Sequence, residues 1–408
     1  MALCRICARN GIREWLDFGP QPLANRFLRS PDEVEYVHPC KVGICRACGT
    51  VQLESPVPVG EMRPRFDWLT YNEPERHLDD VADVLAALPG LTPNSAVGGV
   101  TYKDDSTLKR LAARGFRNIW RADPMADLGV DSPLGGIESI QDRFPHAAGQ
   151  LVSRYGQADL LLVRHILEHA ADVHGFLRGV RAAVRPGGYA LFELPDCRKA
   201  FDRLDYTTVW EEHLLYFTPA TLRHLLAAAG FEVVSLESFY YTQDNVLVCV
   251  AKPAAARDGL PDAPRELADE LARADRFVRE FPQTRHDVRQ KVRSLTSGGG
   301  AFAMLGAGHL SGAFINLYGL ATDTTLVADD NPKKHGLYMP GSKAPILPAA
   351  ELSARNVQLC LMTVRAEVEE LVVGKNAAYL ARGGVLASVF PDSKYALGRA
   401  GPAAGKAA

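Results

Sequence analysis

From residue 75 onward the chain alternates between short apolar runs and stretches whose apolar positions recur at helical spacing. His77, Leu78, Val81, Val84, Leu85 and Leu88 fall on one face of a helix over 75–90. Residues 95–100 then predict a strand, 107–114 a helix and 118–121 a second strand. The run Leu160-Leu161-Leu162-Val163 predicts a buried strand, 173–184 a helix, and 189–193 a strand opened by the turn Pro186-Gly187-Gly188. A helix over 219–229 has Gly230 in the stop position, and strands at 232–239 and 245–251 complete the unit.

A break at 253–264 leads into a charged amphipathic stretch over 265–295, expected to form one or two helices. Gly298-Gly299-Gly300 then opens a second alternating unit. It predicts a strand at 301–305, a tight turn at Gly306-Ala307-Gly308, a helix at 310–317, and strands at 325–328, 358–362 and 385–389. Such alternation predicts an α/β fold with doubly wound, mostly parallel sheets. Residues 1–60 are different: turn pairs such as Gly19-Pro20 and Gln21-Pro22 interrupt them, and long periodic runs are few. The expected organisation is a small module at 1–60, an α/β domain at 61–252, a helical linker at 253–297, an α/β domain at 298–398 and a tail at 399–408.

The first module contains Cys4-Arg5-Ile6-Cys7 and Cys45-Arg46-Ala47-Cys48. Two C-x-x-C turns can present four thiolates to one zinc ion in a closed tetrahedral site, which is structural rather than catalytic. Redox pairing of the same cysteines is the alternative. Cys40 lacks the turn spacing, and Cys197, Cys249 and Cys360 sit in apolar runs as core residues. This usage suits a reducing, cytoplasmic compartment. A net charge of −2 on 408 residues excludes a global field for nucleic acid or an anionic membrane. No run of about 18 apolar residues suggests a membrane span, and the start leaves no room for a signal peptide. The expected partner is a small molecule, bound by a monomer or homodimer.

Candidate chemistry clusters at predicted strand ends. Gly98 and Gly99 would let backbone approach a ligand, and Ser106-Thr107 could start the next helix with unpaired N–H groups. Asp123 ends the second strand, where an acid can accept hydrogen bonds from a ribose diol; a simple turn role is the alternative. The third strand ends in Arg164-His165-Ile166-Leu167-Glu168-His169. Downstream, Trp210-Glu211-Glu212-His213 interleaves acids, an imidazole and an aromatic, so His213 with an adjacent acid is a candidate general base. A surface loop with one histidine is the bland reading of that stretch. In the last unit, Gly306-Ala307-Gly308-His309 between strand and helix, followed by Asp329-Asp330, has a dinucleotide-fold layout. Close strand–helix packing would leave the same trace.

Taken together, these stretches resemble the sugar C-methyltransferase family. Phe18-Gly19-Pro20-Gln21-Pro22-Leu23-Ala24-Asn25 and the second cysteine turn resemble its zinc module. Ile137-Glu138-Ser139-Ile140-Gln141-Asp142 and His165 to His174 resemble its cofactor domain, Glu212 to Phe217 its active-site signature, and Asp330 to Ser342 its last domain. The resemblance implies a zinc head on Cys4, Cys7, Cys45 and Cys48, a class I S-adenosylmethionine (SAM) methyltransferase sheet, and a carboxy-terminal Rossmann-like domain. It implies methyl transfer to a carbon beside the ketone of a nucleotide-linked keto-deoxysugar, with His213 as base, Glu212 as its acidic neighbour and Tyr71 contributing a phenol. The cofactor contacts it implies are Gly98, Gly99, Lys103, Asp105, Asp123, Pro124, Asp142, Arg164 and His165. For the substrate they are Trp210, Glu211, Gly306, Gly308, His309, Asp330 and Lys333. The chain departs from the family's pattern in three places: a longer cofactor turn at 98–105, Trp210 and Glu211 in place of a tyrosine and a histidine, and the run at 68–77. Methylation at oxygen or nitrogen, a non-catalytic nucleotide-binding protein and a nicotinamide oxidoreductase are the competing expectations.

Overall fold

A computed structural model describes residues 3–69, 73–132, 135–257, 264–297 and 299–400. Tyr71 and Gly298 therefore lie outside the described residues. Packing divides the chain into two compact units. The first comprises Met1–Leu16, Lys41–Lys199 and Glu212–Asp275; the second comprises Asp17–Cys40, Ala200–Glu211 and Arg276–Ala408.

The amino-terminal region is more regular than its turn-rich sequence suggests. It contributes β1 (Ile12–Pro22), β2 (Val37–Cys45) and β3 (Val51–Leu53). The central sheet is built from β4 (Ala96–Gly99), β5 (Asn118–Arg121), β6 (Ala158–Arg164) and β7 (Val184–Asp196). A short strand, β8 (Leu215–Tyr216), returns to β3, pairing Val51 with Tyr216 and Gln52 with Leu215. The small sheet thus has the order β1-β2-β3-β8. Two further strands, β9 (Phe231–Phe239) and β10 (Asn245–Pro253), complete the central sheet in the order β5-β4-β6-β7-β10-β9. Strands β5, β4, β6 and β7 run parallel, and β10 is antiparallel to both its neighbours. The strand order reverses at β4, which opens a crevice at the carboxyl ends of β4 and β6.

Both faces of this sheet are covered, which explains the continuous apolar run in β6. Leu161 and Val163 pack with Ile140, Phe144, Phe176 and Leu177 on one side. Leu160 and Leu162 pack with Val81, Leu85, Leu108 and Leu111 on the other. Successive strand residues point to opposite faces, so a doubly covered strand has no polar alternation. One sequence expectation needs correction, and one helix was not expected at all. Pro186-Gly187-Gly188 does not precede its strand but bulges within β7, where pairing jumps from Ala158–Val184 to Leu160–Tyr189. A helix at Ile137–Tyr155, hidden by Pro145, carries eight buried residues of the core face. The stretch over 265–295 forms one helix, Pro264–Thr296.

The second unit contains β11 (Ala301–Leu305), β12 (Thr324–Ala328), β13 (Ile346–Leu347), β14 (Val357–Met362) and β15 (Val385–Ser388). Its sheet is parallel throughout, in the order β13-β12-β11-β14-β15, with the reversal at β11. This is a Rossmann-like arrangement.

Candidate active site

At the amino terminus the two cysteine turns converge. Cys4 and Cys48 lie 3.6 Å apart, as do Cys7 and Cys45. All four sulfurs fall within 4.8 Å of one another. Contact with the other thiols holds Cys45 well below its ordinary value and pushes Cys4 and Cys48 up, so the four cannot all ionise without a cation between them. That donor set fits a structural zinc ion. Cys40 stands outside the cluster.

In the first unit, the turn after β4 is organised by Asp104 rather than its neighbour. The Asp104 side chain is fully buried and accepts the N–H groups of Val100 and Thr101, both at 2.8 Å, and of Arg164 at 3.1 Å. Asp105 is exposed and pairs with Arg121 at 2.8 Å. Gly98 and Gly99 are required by packing: a Cβ would lie 2.3 Å from the Trp120 ring or 2.9 Å from Asp104 Cβ. Asp123 caps its own loop, its Oδ1 accepting the N–H groups of Met125 and Ala126 at 2.9 and 2.8 Å. Pro124 follows it at the same edge of the sheet, whereas Asp142 faces solvent on its helix.

The end of β6 supports a buried ionic network. Glu193 of β7 accepts two bonds from Arg164, at 2.7 and 2.8 Å, and sits 3.1 Å from His165 Nε2 and 3.5 Å from His77 Nε2. Arg164 also donates to Ser106 Oγ at 3.0 Å and to the Lys103 carbonyl. Its guanidinium is therefore a structural pin. Lys103 pairs with Glu73 at 2.5 Å. Removing one member of such a buried network costs about 3–5 kcal/mol, because the partner charge is left uncompensated.

His165 adopts a left-handed backbone, φ 49°, at the strand end. Burial favours its neutral ring, but Glu73, Glu168 and Glu193 overcome this and raise it to about 10. Its stabilising contribution is therefore complete below pH 6.5 and disappears as pH rises through about 10. Thermal melts of the native protein and His165→Gln should therefore differ most near pH 6 and converge towards pH 10.

Next to this network lies His213. Its ring meets His169 edge to face, with centroids 4.7 Å apart at 86°. His169 Nδ1 lies 2.5 Å from Glu138 Oε1, a contact that orients the ring. Burial opposes ionisation of His169, yet Glu138 raises its affinity for a proton. Glu168, His169 and His213 bring a carboxylate oxygen and two ring nitrogens within 4.8 Å of one another, as do Glu138, His169 and Glu212 with their ligating atoms. The backbone fixes this convergence: Leu214 N–H donates to the Glu168 carbonyl at 2.8 Å, and Leu53 N–H to the Leu214 carbonyl at 3.0 Å.

The remaining candidates lie in the second unit. Trp210 stacks on His309, centroids 4.4 Å apart, and Glu211 Oε1 accepts the Ala24 N–H at 2.5 Å. Gly306 has φ 104°, a conformation that favours glycine, and Gly308 caps the helix His309–Leu317. The acid that closes this turn is Asp329, which accepts the Ala307 N–H at 2.7 Å and pairs with Lys334 at 3.0 Å. Asp330 pairs with Lys375 at the surface, 3.0 Å away, and Lys333 is exposed. Sequence reading did not single out Asp104, Glu138 or Glu193, and it named Asp329 only together with Asp330. Their only local signal was an acid beside a glycine turn or at a strand end.

A crevice at a strand-order reversal, beside paired histidines and carboxylates, defines an enzyme site of the doubly wound class. Family comparisons agree along the chain: a zinc binding domain matches residues 4–62, a methyltransferase domain 101–236 and a C-methyltransferase C-terminal domain 263–391. C-methyltransferase NovU of Streptomyces niveus is 25% identical over 407 residues, covering 96% of each protein. Among solved structures, 1,6-didemethyltoxoflavin-N1-methyltransferase of Burkholderia thailandensis has a TM-score of 0.30 at 15% identity, covering 44% of this chain and 80% of that one. The CcbJ methyltransferase of Streptomyces caelestis has a TM-score of 0.31 at 14% identity, covering 46% and 94%. The chain has the three-domain architecture of a C-methyltransferase and is a SAM-dependent methyltransferase with a structural zinc site. Among the described residues no helix is long and apolar enough to cross a membrane.

Proposed function

We propose that this enzyme methylates a carbon adjacent to a ketone in a nucleotide-linked keto-deoxysugar, with His213 as the base. The convergence of His213, His169, Glu138, Glu168 and Glu212 carries this reading, because these groups form a site for moving a proton. SAM supplies the electrophilic methyl group when bound. His213 takes the acidic α-proton, and the surrounding carboxylates stabilise the imidazolium that results. The C–H electron pair becomes an enolate that would form the new carbon–carbon bond as the carbon–sulfur bond of the donor breaks, its electron pair leaving on S-adenosylhomocysteine. Asp123, at the end of β5, would hold the cofactor ribose through Oδ2, since Oδ1 is committed to its loop. In the second unit, the surroundings of Gly306, Gly308 and His309 are assigned to the nucleotide of the substrate.

Two measurements test the reading. Incubation with SAM and a panel of nucleotide keto-sugars should give a mass gain of one methyl on a carbon. Without SAM, solvent deuterium should enter the substrate beside the ketone. Methylation on oxygen or nitrogen with no such exchange would overturn it. Asp123→Asn keeps the loop acceptor but loses the charge, so SAM affinity measured by calorimetry should fall about 10- to 100-fold. Unchanged affinity would remove Asp123 from the ribose role.

A further inference from the structure

Around His213 two groups of possible metal ligands overlap at His169. Glu168, His169 and His213 place one ligand atom each within 4.8 Å of one another, and so do Glu138, His169 and Glu212. Two details set the first group apart from a chance cluster. Glu168 is 1% exposed, and among the described residues neither of its side-chain oxygens has a hydrogen-bond partner. Its Oε1 lies 4.0 Å from His169 Nε2, beyond hydrogen-bond reach, while the other nitrogen of that ring, Nδ1, lies 2.5 Å from Glu138. A carboxylate on the far nitrogen is how metal-bound histidines are held, since it fixes the tautomer and leaves the near lone pair for the ion. The nearest imidazole to Glu168 is His165, whose Nδ1 is 3.6 Å away. Its Nε2 lies 3.1 Å from Glu193, and the surrounding carboxylates raise the ring to about 10, so it supplies charge but no lone pair.

We propose that Glu168, His169 and His213 form a second metal site, which takes one divalent first-row cation of the zinc type. Two imidazoles and a carboxylate are a zinc donor set, with ligands at about 2.0–2.2 Å and so about 3.4 Å apart around a tetrahedral ion. The ligand atoms need draw in by only about an ångström to reach that spacing. Glu138 and Glu212 add negative charge beside the ion. Hard cations such as magnesium prefer oxygen shells and are disfavoured by the imidazoles. The four thiolates of the amino-terminal site bind zinc more tightly, so the second site fills only when metal exceeds one ion per chain. Occupation commits the His213 ring to the ion and stops turnover. That consequence rests on His213 as the base, whereas the binding does not.

In tag-free enzyme holding its structural zinc, equilibrium dialysis against excess zinc should raise the metal content from one ion per chain to two. Glu168→Gln and His169→Gln should each keep the first ion and weaken the second by more than about 100-fold. Glu138→Gln, which loses only the orienting contact, should weaken it about 10- to 100-fold. In the native enzyme, cobalt added after zinc should contribute d–d absorption without a sulfur-to-cobalt charge-transfer band. With ring-labelled histidine, its paramagnetism should broaden the His169 and His213 resonances first. Magnesium should do neither. The proposal is overturned if the native enzyme stays at one ion per chain, or if cobalt broadens histidines outside this cluster instead. A second ion held with native affinity by both folded variants would lie elsewhere and overturn it equally. A second ion bound with turnover unchanged would leave the site standing and remove His213 from the base role.

Discussion

Replacing His213 with asparagine should lower turnover about a thousandfold while leaving the SAM dissociation constant within twofold of the native value. Asparagine fills similar space and keeps a hydrogen-bonding group, but it cannot accept a proton near neutral pH. General-base contributions span about 10²- to 10⁴-fold, which sets the expected scale. The fold should survive, because His213 meets His169 by a ring contact and the neighbouring backbone is held independently by Leu214. Rapid-quench turnover and calorimetry on the same preparation separate the two effects. Turnover within threefold of native would exclude His213 as the base.

Stripping the metal should have a comparably large effect by a different route. A structural zinc ion contributes apparent binding energy of about 10–16 kcal/mol, more than many domains have in total stability. Here the Cys45–Cys48 turn leads directly into β3, and β3 pairs with β8 just after His213. Cys45→Ser or prolonged chelation should therefore lower the melting temperature by more than 10 °C and abolish turnover. Cobalt substitution should preserve both, since a closed four-thiolate site needs a tetrahedral ion and not a particular Lewis acid. A cobalt enzyme whose turnover changes tenfold at unchanged stability would refute the purely structural role.

Much of the architecture was legible because its signals are local. The cysteine pairs carry their own spacing, the α/β alternation is a period of hydrophobic residues, and Gly230 stops its helix at φ 79°. The helix Ile137–Tyr155 was hidden because Pro145 and Gly149 read as breakers, although buried residues on both sides of them hold it. Adjacent acids caused the sharpest ambiguity. Asp104 and Asp105, like Asp329 and Asp330, differ by one position, and only the backbone decides which faces inward. The Glu138–His169–His213 convergence joins three separate segments, so no window of sequence contains it. Gly98 and Gly99 suggested ligand approach, and the packing of Trp120 and Asp104 against them is a second demand for glycine that only the fold reveals.

One of the five points at which the chain passes between the two compact units is the peptide bond joining Glu211 to Glu212. Trp210 and Glu211 are thus satisfied inside the second unit, by His309 and by the Ala24 N–H, while Glu212 and His213 belong to the first. Four consecutive residues answer to two different packing environments. A substitution at Trp210 or Glu211 therefore loses contacts made within the second unit, whereas one at His213 loses a contact made within the first.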